Sequence, residues 1–451
     1  MTSEVVVMNR LGIALASDSA ATVYVGGRAK FYHADKLFML SGCHPVGVMV
    51  YNNSSLLGVP WETILKMYRT ELADKSFDTL EEYAANLIAF LNGNDHLFPE
   101  GVQRRYYLHL VRTLFEGIRR GIKQKMLDLI GDSPDELKKA LKKIQADVIQ
   151  RSLTEWQEKK DVDSKCYDAA SVANKMVGDA SGDIHKMVAE YFDGAEGGEV
   201  NALYDLARLV VSKEEILAES LSGLVIAGFG ARQYFPVMQE YELGEIFAGR
   251  LKYKCEGTSR IDSDNPSVVR PFAQSDMVET FLSGMSPAFE TKLIRELVKV
   301  MVRSPEAIID GMPGVSKKRK DAYKEKVRPI AQEAVVSMVR QLKDYRKTKH
   351  LRPILQSIEF LPKNELAHVA ASLVNLSSFQ KRISISEDET VGGPIDVAVI
   401  SKGDGFVWIE RKHYFRPELN RHFFRQYGPT GPQAEELITY DKTGDQQDSG
   451  T

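Results

Sequence analysis

Strand-length apolar runs occur in three separate stretches of this chain, with long stretches of helical periodicity between them. Near the start, Val5-Val6-Val7-Met8 and Ile13-Ala14-Leu15-Ala16 flank the turn Asn9-Arg10-Leu11-Gly12, and runs at 36–40 and 46–51 follow. Further runs stand at 224–229, 234–241 and 246–253, and a last pair, 394–401 and 405–412, flanks Lys402-Gly403-Asp404. Apolar runs without polar alternation belong to strands buried on both faces. Such strands need another sheet or helices on each side. The first four runs, joined by short connections, predict an antiparallel meander.

Between the first and second stretches the period becomes helical. Pro60-Trp61 opens a helix reaching about residue 70, since proline at the first turn costs no hydrogen bond. Asp78 is placed to cap the next helix, which carries Leu80, Tyr83, Leu87 and Leu91 near helical spacing. Amphipathic segments continue over 103–129, 134–158 and 169–192, and later over 272–283, 288–303, 318–344 and 363–375. Strands at both ends and in the middle fit one interrupted domain better than independent ones. The 451 residues exceed the usual length of a single domain, so the surplus is assigned to insertion. The expected division is a first sandwich part over 1–60 and a helical insertion over 61–221 that includes the first core helix. A second sandwich part over 222–304, a helical segment over 305–360, a C-terminal sandwich part over 361–415 and a mobile tail over 430–451 complete it.

Charge and cysteine content narrow the partners. Lys+Arg total 59 against Asp+Glu 62, so no whole-protein basic field draws in nucleic acid or anionic membrane. The longest apolar stretches fall well short of the ~20 residues needed to span a bilayer. Cys43, Cys166 and Cys255 are far apart and odd in number, which offers neither a disulfide framework nor a CxxC zinc pair. A reducing cytoplasm is the expected location, since no basic-then-apolar leader opens the sequence.

The chemistry expected of the N-terminus begins with Thr2. Its small side chain suits removal of Met1, which would leave a hydroxyl and a free α-amine on one residue. A threonine hydroxyl is too weak an acid to attack an amide unaided, but an α-amine with a pKa of about 8 serves as a general base at neutral pH. Such a site also needs a cation, an anion to hold it, and backbone donors for the tetrahedral oxyanion.

With Thr2, Gly12, the segment Ala16-Ser17-Asp18-Ser19 followed by Thr22, Lys36 opening a strand, and a strand end at 47–53 before a helix, the chain resembles a known family. This family is the N-terminal-nucleophile (Ntn) hydrolases of the proteasome β-subunit type, including the bacterial proteasome-like proteases. Asp18 follows Thr2 by sixteen residues, the spacing of that family's catalytic aspartate. The resemblance covers residues 1–70, 222–284 and 363–412. It implies an α+β fold, a four-layer αββα sandwich carrying a large helical insertion. By the same likeness Asp18 holds Lys36, Lys36 lowers the pKa of the Thr2 site, and backbone N–H groups near Tyr51 or Asn52 form the oxyanion hole. Ser19, Asp388, Gly392 and Gly393 take supporting places, and Met49 and Asn53 line the substrate pocket. The family pattern also differs here in three places. Two extra residues separate Asp18 from Lys36, which leaves Lys30 as an alternative. Tyr51-Asn52-Asn53 replaces a Gly-Gly pair, and Val391 stands where a supporting serine is usual.

The expected activity is that of a threonine peptidase or amidase acting on a peptide or protein, with no cofactor and no metal. A homo-oligomer follows from the family's ring assembly, and an ATPase partner by analogy alone. Other motifs are weaker. Gly228-Phe229-Gly230 lacks the third glycine of a dinucleotide fingerprint, and Cys43-His44 would point to opposite faces of a strand. Met312-Pro313-Gly314-Val315-Ser316 before Lys317, Lys318, Arg319 and Lys320 resembles the hairpin of helix-hairpin-helix DNA-binding motifs. It supplies the alternative, a catalytically silent assembly or nucleic-acid-binding platform, although nucleic acid is not the expected partner.

Overall fold

The computed structural model describes residues 3–25, 28–127, 134–163, 165–218, 220–383, 393–413, 415, 419 and 420, with backbone alone at 21–25, 28–31 and 134–139. Its main body runs to Glu410, and the residues from Arg411 form a separate unit. The body is mixed α/β with antiparallel sheets.

Strands β1 (Ser3–Asn9) and β2 (Gly12–Ser17) form a hairpin whose turn is fixed by the Asn9 side chain, which accepts from Leu11 N–H at 2.9 Å. Gly12 is needed where it stands, because a Cβ there would lie 2.7 Å from the Ile400 carbonyl oxygen. The chain then makes the two-stranded ribbon β3 (Ala20–Val25) and β4 (Arg28–His33), followed by β5 (Leu37–Met39), β6 (Val46–Asn52) and the short β7 (Ser55–Leu56) and β8 (Val59–Pro60). Helices α1 (Trp61–Leu72), α2 (Leu80–Asn92), α3 (Glu100–Leu127), α4 (Pro134–Glu158), α5 (Ala169–Tyr191) and α6 (Gly198–Ser212) follow. After β9 (Ser222–Gly228), β10 (Val237–Phe247), β11 (Arg250–Arg260) and β12 (Ser267–Ala273) come α7 (Asp276–Ser283), α8 (Pro287–Gly311) and α9 (Lys317–Arg346). A π-helical turn (Lys347–Leu351), α10 (Arg352–Glu359), α11 (Lys363–Ile383), β13 (Asp396–Ser401) and β14 (Gly405–Glu410) complete the body.

One sheet has the order β12-β1-β2-β13-β14 and the other β11-β10-β9-β6-β5. The expected meander is therefore corrected. The first two runs and the next two belong to different sheets, and the β3–β4 ribbon lies between them in sequence. Side-chain alternation explains how doubly apolar strands are satisfied. Val6, Met8, Ile13 and Leu15 share a core with Met49, Tyr51, Val225 and Ala227 of the other sheet. The opposite faces of β1 and β2, with Val5, Val7, Ala14 and Ala16, pack on α7, α10 and α11. Val48, Val50, Leu224 and Ile226 pack on Trp61, Ile64 and Leu65 of α1 and Tyr83 and Leu87 of α2. Helices α3 to α6 bury a core largely of their own, with Phe115, Ile184, Leu203 and Leu206 fully enclosed.

Several boundaries differ from expectation, among them α11, which runs to Ile383 and not to about 375. The helix expected over 272–283 begins only at Asp276, because Phe272 and Ala273 end β12, which pairs with β1 from Ser3↔Ala273 to Asn9↔Ser267. Pro271 is accommodated there because β12 is an edge strand. The strands expected over 234–241 and 246–253 are instead β10 and β11, turning at Ala248-Gly249 with both residues at positive φ. Helix α8 runs past the expected end, through Pro305 to Gly311. Among the described residues no helix is long and apolar enough to cross a membrane.

Candidate active site

The start of β1 and the end of β2 are tied together twice. Asp18 N–H donates to the Ser3 carbonyl at 3.1 Å, and Ser3 N–H donates to Asp18 Oδ1 at 3.1 Å. The same carboxylate oxygen receives Lys36 Nζ at 2.8 Å, and Lys36 also donates to the Ala20 carbonyl at 2.5 Å. Asp18 is wholly enclosed and Lys36 only 7% exposed. Removing two such charges from water is expensive, and close contact with additional hydrogen bonds offsets the cost. The lysine backbone is held as well, since its carbonyl accepts Val50 N–H of β6 at 2.9 Å. The pair is thereby fixed to both sheets.

Among the described residues, Lys36 meets Asp18. Lys30 lies in β4, and its side chain is outside the described residues, as are Thr2, Asp388, Val391 and Gly392. Ser19 donates its hydroxyl to the Pro394 carbonyl, and neighbouring Gly393 adopts φ +81° beneath the His33 ring, which a Cβ would meet at 2.8 Å. Ser19 and Gly393 thus come together beside the end of β2.

At the end of β6, Asn52 adopts φ +66°, the left-handed region that the Gly-Gly pair of the resembled family would enter freely. Asparagine tolerates it better than most side chains. Asn53 N–H is committed to the Leu221 carbonyl at 3.2 Å, and its side chain accepts Ser55 N–H at 3.3 Å. Tyr51 lies flat against Gly223, where a Cβ would sit 2.0 Å from the ring. Its hydroxyl donates to Glu240 Oε1 at 2.8 Å, and Arg270 holds the other oxygen of that carboxylate at 3.1 Å. Burial, then the Glu240 charge, pushes the phenol well above its usual range. Met49 is fully buried in the intersheet core.

The Tyr51–Glu240–Arg270 chain and Glu4 are site features that the sequence reading missed. Glu4 occupies the intersheet face of β1, opposite Ser17, whose hydroxyl donates to Glu4 Oε1 at 3.2 Å. Glu4 Oε2 has no hydrogen-bond partner among the described residues. Burial raises this carboxyl well above the usual carboxylate range; Lys36 acts against the rise, Asp18 adds to it, and the Ser17 bond opposes it. One signal was available, because Glu4 shares the period-two face of Val6 and Met8 at the edge of an apolar run. Among the described residues no cluster of three or more His, Cys, Asp or Glu side chains could hold a metal ion.

No family model matches the chain, and no curated protein matches it. Among solved structures it is similar to the Anbu (Gly-1) mutant from Hyphomicrobium sp. strain MC1, with 9% sequence identity and a TM-score of 0.27, over 98% of this chain and 99% of that one.

Proposed function

We propose that this chain is a threonine-dependent Ntn hydrolase of the four-layer αββα type, cleaving amide bonds of a peptide or protein through an acyl-enzyme on Thr2. The observation that carries the reading is the double use of Asp18 Oδ1, which binds both the Lys36 ammonium and the N–H of Ser3, the residue joined to Thr2. A buried cation is thus held beside the backbone that bears the nucleophile. The Lys36 charge disfavours a second cation nearby and so lowers the pKa of the Thr2 α-amine. Thr2 Oγ attacks the carbonyl carbon while its α-amine takes the hydroxyl proton. That proton passes to the leaving amine as the C–N bond breaks. Water then attacks the acyl ester while the α-amine takes its proton, and the α-ammonium returns that proton to Thr2 Oγ as the ester C–O bond breaks and the acid is released. The Asn52 backbone, in the conformation a glycine would adopt, supports its assignment to the oxyanion hole.

Homo-oligomeric assembly, and an ATPase partner by analogy, accompany this reading through the family resemblance alone. The nucleic-acid alternative is less well supported by the basic start of α9. Lys320 donates to the Asp310 carbonyl at 2.6 Å and Lys324 to its carboxylate at 2.7 Å, so part of that charge closes the α8–α9 hairpin. The test combines intact-mass analysis of the N-terminus with β-lactone labelling of wild type and Thr2→Ala. Loss of Met1 with labelling confined to wild type is expected. Full retention of Met1, or equal labelling of both proteins, overturns the assignment.

A further inference from the structure

We propose that Glu4 is a second acid of the Thr2 site, neutral in the active form, and a positioning residue whose ionisation switches the site off by drawing Lys36 away from Asp18. The inference rests on the Thr2 reading and adds its regulation. The geometry argues for it directly. Glu4 is 0% exposed, accepts one hydroxyl hydrogen bond, and has a second oxygen with no partner among the described residues. The nearby ammonium, Lys36, is bonded to Asp18 and to the Ala20 carbonyl. An ionised carboxylate enclosed this way would lack a contacting counter-ion, which is the costliest state for a buried acid, whereas the neutral acid avoids that cost.

The surroundings on every packed element agree. On β2 the partner is the Ser17 hydroxyl, and Asp18 follows it; before β5 stands Lys36; on β6 the Tyr51 phenol lies close enough for the Glu4 charge to raise its pKa. On β12 the residue opposite is Phe272, with Arg270 two positions away and committed to Glu240 of β10. Asp396 opens β13 opposite Ser17. The direction of the Glu4 shift, upward through burial, is the one these contacts call for.

Ionised Glu4 would therefore be a second anion, beside Asp18, near one ammonium. It would compete with Asp18 for Lys36, and a Lys36 drawn from Asp18 no longer sets the electrostatics of the Thr2 site, which slows acylation on the alkaline side. Glu4 forms no bond to the substrate; its O–H bond gives up the proton to solvent, and the carboxylate left behind competes for Lys36.

The experiment measures β-lactone labelling of the full chain against pH for wild type, Glu4→Gln and Glu4→Met, together with infrared spectra at neutral pH. Wild type is expected to lose about tenfold in labelling rate for each pH unit above the ionisation of Glu4, and neither variant should show that alkaline fall. A neutral-carboxyl stretch should be present in wild type and absent from both variants. Labelling with superimposable pH profiles, or a missing neutral-carboxyl band at neutral pH, overturns the role of Glu4 and leaves the Thr2 reading standing. Loss of labelling at every pH in both variants, with native circular dichroism, also overturns it. Wild type that never labels removes the Thr2 reading and this inference with it.

Discussion

Ser3 and Lys36 donate to one and the same oxygen of Asp18, at 3.1 Å and 2.8 Å, inside a region closed to solvent. Replacing Asp18 by Asn keeps an acceptor for Ser3 but leaves a buried ammonium without its counter-ion, a change that costs about 3–5 kcal/mol. Lys36→Met removes the other charge. The double variant Asp18→Asn/Lys36→Met should be less destabilised than the sum of the two single variants, because it strands no charge. Urea unfolding of the three variants checks this. Additive losses below about 1 kcal/mol each would show that the pair is only a solvated contact.

At Asn52 the backbone, not the side chain, is expected to matter. Asn52→Gly should preserve stability and β-lactone labelling, since glycine enters φ +66° without a Cβ penalty. Asn52→Val should cost about 1–2 kcal/mol, because a β-branched residue resists the left-handed region, and should reduce labelling as the strand end shifts. Equal labelling of the Gly and Val variants would exclude the strand end from the site.

Tyr51 is clamped from one side by the absence of a side chain at residue 223. In Gly223→Ala the new Cβ would fall 2.0 Å from the ring, so the ring must move and its bond to Glu240 must break. Overpacking of this kind costs about 1–3 kcal/mol. Shortening the ring in Gly223→Ala/Tyr51→Leu should recover part of the loss, a non-additivity that thermal unfolding of the four proteins in the cycle would reveal. A purely additive cycle would mean that the two residues do not press on each other.

Much of the two antiparallel sheets was legible because several of their strands are apolar on both faces. Val5 to Met8 and Ile13 to Ala16 stand out in any window, and Asp18 could be picked out by its spacing from Thr2, whereas two extra residues before Lys36 left Lys30 as an alternative. One strand that carries polar residues was missed. β12, with Arg270 and Pro271 inside it, reads as a break, and only its edge position allows the proline. The ribbon β3–β4 was overlooked although Gly26-Gly27 separates Thr22-Val23-Tyr24-Val25 from the alternating Arg28-Ala29-Lys30-Phe31, a two-residue hairpin signal. Sequence could not assign the first two apolar runs and the next two to different sheets either, since double burial suits one meander and two packed sheets equally. At the site, the left-handed turn at Asn52 and the stacking of Tyr51 on Gly223 depend on contacts across β6 and β9, which no local pattern encodes. Glu4 was overlooked because a single acid before an apolar run ordinarily marks a solvated strand start.

Two buried groups, Glu245 and Lys252, make opposite demands on pH. Glu245 accepts Leu57 N–H at 3.1 Å, and burial raises its carboxyl to about 7. Between the ordinary carboxylate range and pH 7 the unfolded chain has lost this proton and the folded chain keeps it. Stability from this group is therefore present at acid pH and falls as pH rises to about 7, by on the order of 3 kcal/mol in all. Lys252 donates to the Val210 and Glu215 carbonyls at 3.0 and 2.5 Å, and burial lowers its ammonium to about 7. Above pH 7 the unfolded chain holds this proton and the folded chain has released it, so stability rises with pH until the ordinary lysine range is reached. Together the two groups predict a stability minimum near pH 7. Glu245→Gln should remove the acid-side slope and Lys252→Met the alkaline-side slope, each leaving the other in place. Urea midpoints at pH 5, 7 and 9 decide the matter, and a single maximum near pH 7 in wild type would contradict both assignments.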